Sequence, residues 1–119
     1  STEVNIFVIS CLLASNCSGN DPAAAKINLQ AAERAKALSA FSSAANYATR
    51  GIGYLPDDSW QCYKQLTLSL YSIGAEVESC LGNIERSNDF CSKVLDQPAL
   101  SIMDKIRANR VLIDNKNAV

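Results

Sequence analysis

The sequence predicts an all-α fold of about six helices arranged as antiparallel hairpins, and three observations carry that reading. Alanine is abundant while the 119 residues hold only 5 glycines and 3 prolines, a balance that favours helix over strand and loop. Apolar residues recur at three- and four-residue intervals along nearly the whole chain, the spacing of one helical face. The few glycines and prolines fall between these stripes, where they act as stops and starts.

The first helix is read over Glu3–Ala14, with Val4, Phe7, Val8, Cys11 and Leu12 on one face. The small polar run from Ser15 to Asn20, which includes Gly19, ends it. Asp21-Pro22 opens the second helix, because the carboxylate can accept from free backbone donors and proline loses nothing at the first helical position. Its face is Ile27, Ala31, Ala35 and Leu38, with Leu29 and Ala32 beside it; Ser39 is the expected turn, and, since no glycine or proline marks it, one continuous helix is the alternative. The third helix runs from Ala40 to Tyr54 on Phe41, Ala44, Ala45, Ala48 and Ile52. Gly51 within it costs about 0.5–1 kcal/mol relative to alanine, which a helix accepts where a neighbour needs the room.

Pro56 stops that helix, since the residue before a proline is pushed out of the α region. Asp57, Asp58 and Ser59 then supply cap candidates and negative charge for a long fourth helix, Trp60 to Leu81. Its expected inward face is Trp60, Tyr63, Leu66, Leu70, Ile73, Val77 and Leu81, and Gly82 is its αL terminator. Asn83 caps a fifth helix, Ile84–Leu95, facing inward through Ile84, Ser87, Cys91, Val94 and Leu95. Gln97-Pro98 separates it from a sixth, Pro98–Asp114, whose inward residues are Ile102, Met103, Ile106 and Ile113.

Composition excludes several classes of function. Net charge is −1 with the signs interspersed, and 19% of residues are charged, so no basic footprint for nucleic acid or an anionic membrane stands out. The apolar run Ile6–Ala14 is too short to span a bilayer. With no histidine and no C-x-x-C pair among Cys11, Cys17, Cys62, Cys80 and Cys91, zinc ligation has no natural donor set. The five cysteines read as reduced, with Cys11, Cys80 and Cys91 on or near apolar stripes, and reduced thiols imply a cytoplasmic home.

No cluster carries catalysis, a cofactor or a metal. Gly51-Ile52-Gly53 precedes a proline instead of opening a helix, so it reads as a hairpin end and not a phosphate loop. Trp60 and Tyr63 read as core aromatics, and Asp57 with Asp58 as capping charge. Glu76 and Glu78, two residues apart on a helix, cannot meet. Lys105, Arg107 and Arg110 read as compensation for the dipole at the carboxyl end of the last helix, with a basic docking patch as the alternative.

Ala44, Ala48, Gly51 and Pro56 stand at the spacing of the second-helix signature of a tetratricopeptide repeat, and Gly82, Ser87, Cys91, Val94 and Pro98 form a weaker copy. The structural signature positions are therefore Ala44, Gly51, Pro56, Ser59, Trp60 and Gly82, within one tetratricopeptide-like superhelical segment spanning residues 1–119. From Asn28 onward the chain resembles the helical region that follows the ATPase module in very large signalling proteins. Those chains also carry a serine/threonine kinase domain and often a GAF sensor and a histidine kinase. The stretches that carry the resemblance are NLQAAERAKALSAFSSAANYATRGIGYLPDDSW (28–60), QLTLSLYSIGAEVESCLGN (65–83) and VLDQPALSIMDKIRANRVLI (94–113). Ser79 stands where that family tends to have an aromatic, and Ser87 where it tends to have alanine, two departures that weaken the second repeat.

The resemblance implies a non-catalytic scaffold or relay, excised from a larger kinase/ATPase and contacting neighbouring domains or a signalling protein. It implies no contact with nucleic acid or membrane, and no catalytic motif of those other domains occurs here. The alternative is a stand-alone helical protein that holds a peptide or a small apolar ligand between its helices.

Overall fold

The computed structural model describes residues 20–118. Six α-helices and one 3₁₀ turn make up the regular structure of those residues: α1 Pro22–Ala37, α2 Phe41–Gly53, α3 Ser59–Cys62, α4 Lys64–Cys80, α5 Ile84–Leu95, the 3₁₀ turn Met103–Lys105, and α6 Ile106–Asn117. The helix read over Glu3–Ala14 lies outside the described residues.

Local chemistry sets most of the ends. Asp21 Oδ1 accepts from the Ala24 backbone N–H at 3.0 Å, with Pro22 at the first helical position. Ser39 adopts φ 58° and Gly82 φ 82°, and each closes its helix in the same way. Ala40 N donates to Ala35 O at 2.8 Å, and Asn83 N donates to Glu78 O at 2.9 Å. These six-to-one bonds are Schellman closures, which satisfy otherwise orphaned carbonyls. The connections that follow are only a few residues long, so α1 and α2, like α4 and α5, fold back on one another as antiparallel hairpins.

The other caps differ from expectation. Neither Asp58 at the start of α3 nor Asn83 at the start of α5 makes a side-chain cap bond, and the Asn83 amide turns instead toward Glu78 Oε1 at 3.4 Å. A cap missing from the sequence reading lies farther on. Asp104 N donates to Ser101 Oγ and Ser101 N donates to Asp104 Oδ2, each at 3.1 Å, a reciprocal capping box of the S-x-x-acid kind.

The expected helix Trp60–Leu81 is two helices, broken at Tyr63, whose φ of −134° and ψ of 51° leave the α region. The cause is tertiary. Trp60 stacks on Tyr71 with ring centroids 5.5 Å apart, whereas eleven residues of straight helix would separate them by about 16 Å at 1.5 Å per residue. The chain therefore turns at Tyr63, and Thr67 secures the new start by donating its hydroxyl to Tyr63 O at 2.7 Å.

Two clusters form the core on either side of α4. Ala32, Ala35, Ala44, Ala45 and Ala48 of the first hairpin pack on Ile73 and Val77, while Cys91, Val94, Leu100, Ala108 and Val111 pack with Leu68 and Ala75. Helix α4 is thus enclosed by both hairpins and by α6, which explains why polar Thr67, Ser72 and Glu78 are buried along it.

The last helix corrects the sequence reading most sharply. It starts at Ile106 and not Pro98, and the residues assigned to its inward face point to solvent: Ile102 is 84% exposed, Met103 75%, Ile106 43% and Ile113 60%. Ala108, Val111 and Asn115 are buried in their place. Ile27 and Leu38 at α1 and Leu81 at the end of α4 are likewise exposed, so these expected inward residues do not contribute to the core.

Candidate functional site

The six signature positions fall at packing faces and turns of the helices. Ala44 is fully buried in α2. A Cβ on Gly51 would lie 2.6 Å from Leu70 Cδ2 and 3.3 Å from Asn28 Cβ, so the room is taken by side chains of α4 and α1 and not by another backbone. Pro56 and Ser59 are buried, with Ser59 N donating to Pro56 O at 3.0 Å. Trp60 packs against the second cluster, and its partner Tyr71 in turn meets Phe90 edge-on at 5.8 Å. Gly82 supplies the left-handed turn.

The structure gathers two polar constellations that the sequence reading did not assemble. In the first, Glu76 of α4 ties the two ends of the molecule together. Its Oε1 accepts from Lys36 Nζ of α1 at 2.8 Å and from Arg107 Nη2 of α6 at 2.6 Å, and its Oε2 accepts from Arg107 Nε at 3.0 Å. The forked contact is the strong form of such a pair. Burial by itself would raise the Glu76 carboxyl, but the hydrogen bonds from Arg107 and Lys36, with their charges, hold it below the ordinary range. Arg107 is correspondingly raised by its bond to Glu76. Because α6 begins at Ile106, Arg107 and Arg110 sit near its amino end, so the expected compensation of a carboxyl-terminal dipole is not their role. Glu78 faces elsewhere, pairing with Arg86 Nε at 2.7 Å.

The second constellation is a buried amide network. Asn115, 1% exposed, donates to Ser87 Oγ at 2.9 Å and to Asn88 Oδ1 at 2.8 Å. Its own oxygen accepts from Ser79 Oγ at 2.6 Å, and Ser87 Oγ donates onward to Ala75 O at 2.7 Å. Helices α4, α5 and α6 are thereby locked in one register. Ser79 and Ser87, the two departures from the resembled family's pattern, both belong to this network, so they do not weaken the second hairpin.

No family model, curated protein or solved structure matches the chain. What the residues can do is therefore read from the geometry alone.

Neither constellation has the makings of a reaction centre. Both ends of the buried Asn115 amide are engaged by hydrogen-bond partners, and Glu76 is neutralised by two cations. Cys91, fully buried, has its thiol pushed up to about 11 by burial and by the charge of Glu76, which keeps it protonated and inert near neutral pH. Among the described residues, no group of three or more His, Cys, Asp or Glu is placed to hold a metal ion. Nor is any described helix long and apolar enough to cross a membrane.

The cysteines depart from the reduced set expected. Cys91 is free and buried as anticipated, whereas Cys80 is free but exposed. Cys62 is disulfide-bonded. A persistent disulfide is uncommon in the cytosol, so the cysteines do not support a cytoplasmic assignment.

Three surfaces remain as candidates for contact. A groove of about 480 Å³ between α1 and α4 is lined by Pro22, Ala23, Leu29, Tyr63 and Leu66. A second, of about 530 Å³, opens between α1 and α2 beside Leu38, Arg34 and Tyr47. The third, of about 420 Å³, runs along α6 past Ile102, Ile106, Asn109, Arg110, Ile113 and Asp114.

Proposed function

We propose that this chain is a non-catalytic helical scaffold, a tetratricopeptide-like segment of a large ATP-dependent signalling kinase/ATPase, whose terminal helices contact neighbouring domains or a partner protein. The observation that carries this reading is the outer side of α6. Ile106 and Ile113 lie exposed there, opposite the face that packs, and Ile102 and Met103 lie exposed just before the helix. A helix apolar on two sides is a helix built to be covered on both. Exposed Ile27 and Leu38 on α1 give the other end of the molecule a smaller patch of the same kind. Stacked helical hairpins present such faces wherever a neighbour is to be received. The resemblance over residues 28–113 supplies the kinase/ATPase context and implies a cytoplasmic location, against which the Cys62 disulfide stands.

Reading the gene on both sides of these codons tests the context. An ATPase module upstream and sensor or kinase modules downstream are expected, and a reading frame confined to this segment would remove the signalling-kinase assignment. Binding of an apolar fluorescent dye tests the scaffold role. Ile106→Asp with Ile113→Asp should lower the dye signal while leaving the helical circular dichroism unchanged.

A second reading, a stand-alone protein holding a small apolar ligand, is favoured by the α1–α4 groove and by the Cys62 disulfide, which suits an oxidising compartment. It requires saturable binding of an apolar probe that is lost on Leu66→Asp and retained in the α6 variant.

A further inference from the structure

The scaffold reading leaves open what α6 receives, and the charge around its apolar stripe narrows the answer. The helix has 12 residues, a length of about 18 Å at 1.5 Å per residue. At 100° per residue the stripe of Ile106 and Ile113 points about 180° away from the buried Ala108, Val111 and Asn115. Arg110 lines the groove over this stripe, Lys116 flanks its other side, and Lys105 stands at its entry. None of these three has an ion-pair partner among the described residues. Asp114 is the one anion lining the groove, and the nearby carboxylates Glu76 and Asp104 already face Arg107 and Lys64. The border of the stripe is therefore net basic, although the whole chain carries −1.

A second copy of this chain fits the face poorly. Stacking α1 of one copy on α6 of another would bring exposed Arg34, beside Leu38, against Arg110 and Lys116. Pairing α6 with itself sets Arg110 near its own counterpart, and one short helix offers far fewer than the ~20–30 residues a side of a stable interface.

We propose, resting on the scaffold reading, that the outer face of α6 docks an amphipathic helix of a partner protein whose apolar stripe is bordered by Asp and Glu. The apolar side chains enter the groove between Ile102, Ile106 and Ile113, and the acidic border meets Arg110, Lys116 and Lys105. Helix-in-groove docking of this kind draws affinity from the stripe and selectivity from the flanking charges.

Three synthetic helical peptides test it by fluorescence anisotropy against the intact chain: a leucine-striped peptide with glutamate flanks, the same with lysine flanks, and the glutamate peptide with its stripe changed to serine. The glutamate-flanked peptide should bind about tenfold more tightly than the lysine-flanked one, with an advantage that shrinks as salt screens the border. The serine-striped peptide should not bind. Ile113→Asp should abolish binding, and Arg110→Glu should reduce or reverse the preference. Both positions are solvent-facing, so the fold is retained and circular dichroism checks that it is. Equal binding of the two charged peptides, or a dimer dissolved by Ile113→Asp in sedimentation, overturns the proposal. In either of those cases, dye binding sensitive to Ile113→Asp would leave the scaffold reading standing. If Ile113→Asp changes neither dye nor peptide binding, both readings fall.

Discussion

Asn115 of α6 donates to Ser87 Oγ of α5 at 2.9 Å, from a position 1% exposed to solvent. A polar side chain in the middle of a three-helix contact is stable only when its partners are complete, and here they are. Truncation to Asn115→Ala strips Ser79 and Asn88 of their partner in a part-buried site and takes a donor from Ser87. A loss of about 1–3 kcal/mol is expected, read as a lower urea midpoint with unchanged slope. Replacing most of the set with apolar groups (Ser79→Ala, Ser87→Ala, Asn115→Leu) should recover much of that loss, because only the part-buried Asn88 is left without its partner. A triple variant no more stable than Asn115→Ala would show that the network does more than satisfy itself.

Gly51 and Leu70 define the closest approach of the first hairpin to α4. A methyl at Gly51 would meet Leu70 Cδ2 at 2.6 Å, and Leu70 is fully buried, so it has little space into which to rotate. Overpacking of this kind costs about 1–3 kcal/mol, more than the ~0.5–1 kcal/mol that alanine returns in a helix. Gly51→Ala should therefore destabilise the chain. In a Leu70→Ala background the same change should become neutral or stabilising, a reversal that thermal or urea melts of the four proteins would reveal.

What the sequence conveyed and what it concealed divide along the range of the interactions. Asp21-Pro22, Ser39 and Gly82 act within a few residues, and the ends of α1, α2 and α5 were legible from them to within about two residues. The break at Tyr63 was not, because its cause is a ring stack between Trp60 and Tyr71 that no local pattern encodes. Helix α6 misled for a different reason. Its large apolar residues read as core, while the true packing face uses Ala108, Val111 and an asparagine whose partners come from two other helices. Glu76 was similarly opaque, since Lys36 and Arg107 lie 40 and 31 residues away. The reciprocal Ser101–Asp104 pair was within reach, as its four-residue pattern is visible to the eye.

The Glu76 clamp gives stability a defined dependence on acid. Its carboxyl in the folded chain lies below the ordinary glutamate value, so the unfolded chain binds the proton more readily. The contribution is full above the unfolded pKa, ~4.3, and is lost as pH falls through the lower folded value. The gap in unfolding free energy between the natural chain and Glu76→Gln should be constant from pH 7 to about 5 and close below about 4. The cations are well exposed, Lys36 at 38% and Arg107 at 49% of their side-chain surface. Solvent screening keeps the effect modest for that reason. A gap that persists unchanged into strong acid would mean that Gln costs stability through shape and not charge.

The thiols offer a last, inexpensive check on both the disulfide and the core. The chain has five cysteines, so with Cys62 oxidised titration in denaturant without reductant should count fewer than five thiols, and five after reduction. Without denaturant, Cys80 should react quickly because it is exposed. Cys91 should lag far behind, since it is fully buried and its thiol is raised to about 11. At pH 8 that leaves only about one part in a thousand as the reactive thiolate. Exposure multiplies the difference, because a reagent reaches Cys91 only when α5 parts from α4 and α6. The rate at Cys91 thus reports opening of the second cluster, and it should rise in Asn115→Ala by the factor that the lost stability predicts. Five thiols in the unreduced protein would remove the disulfide and, with it, the main support for an oxidising compartment.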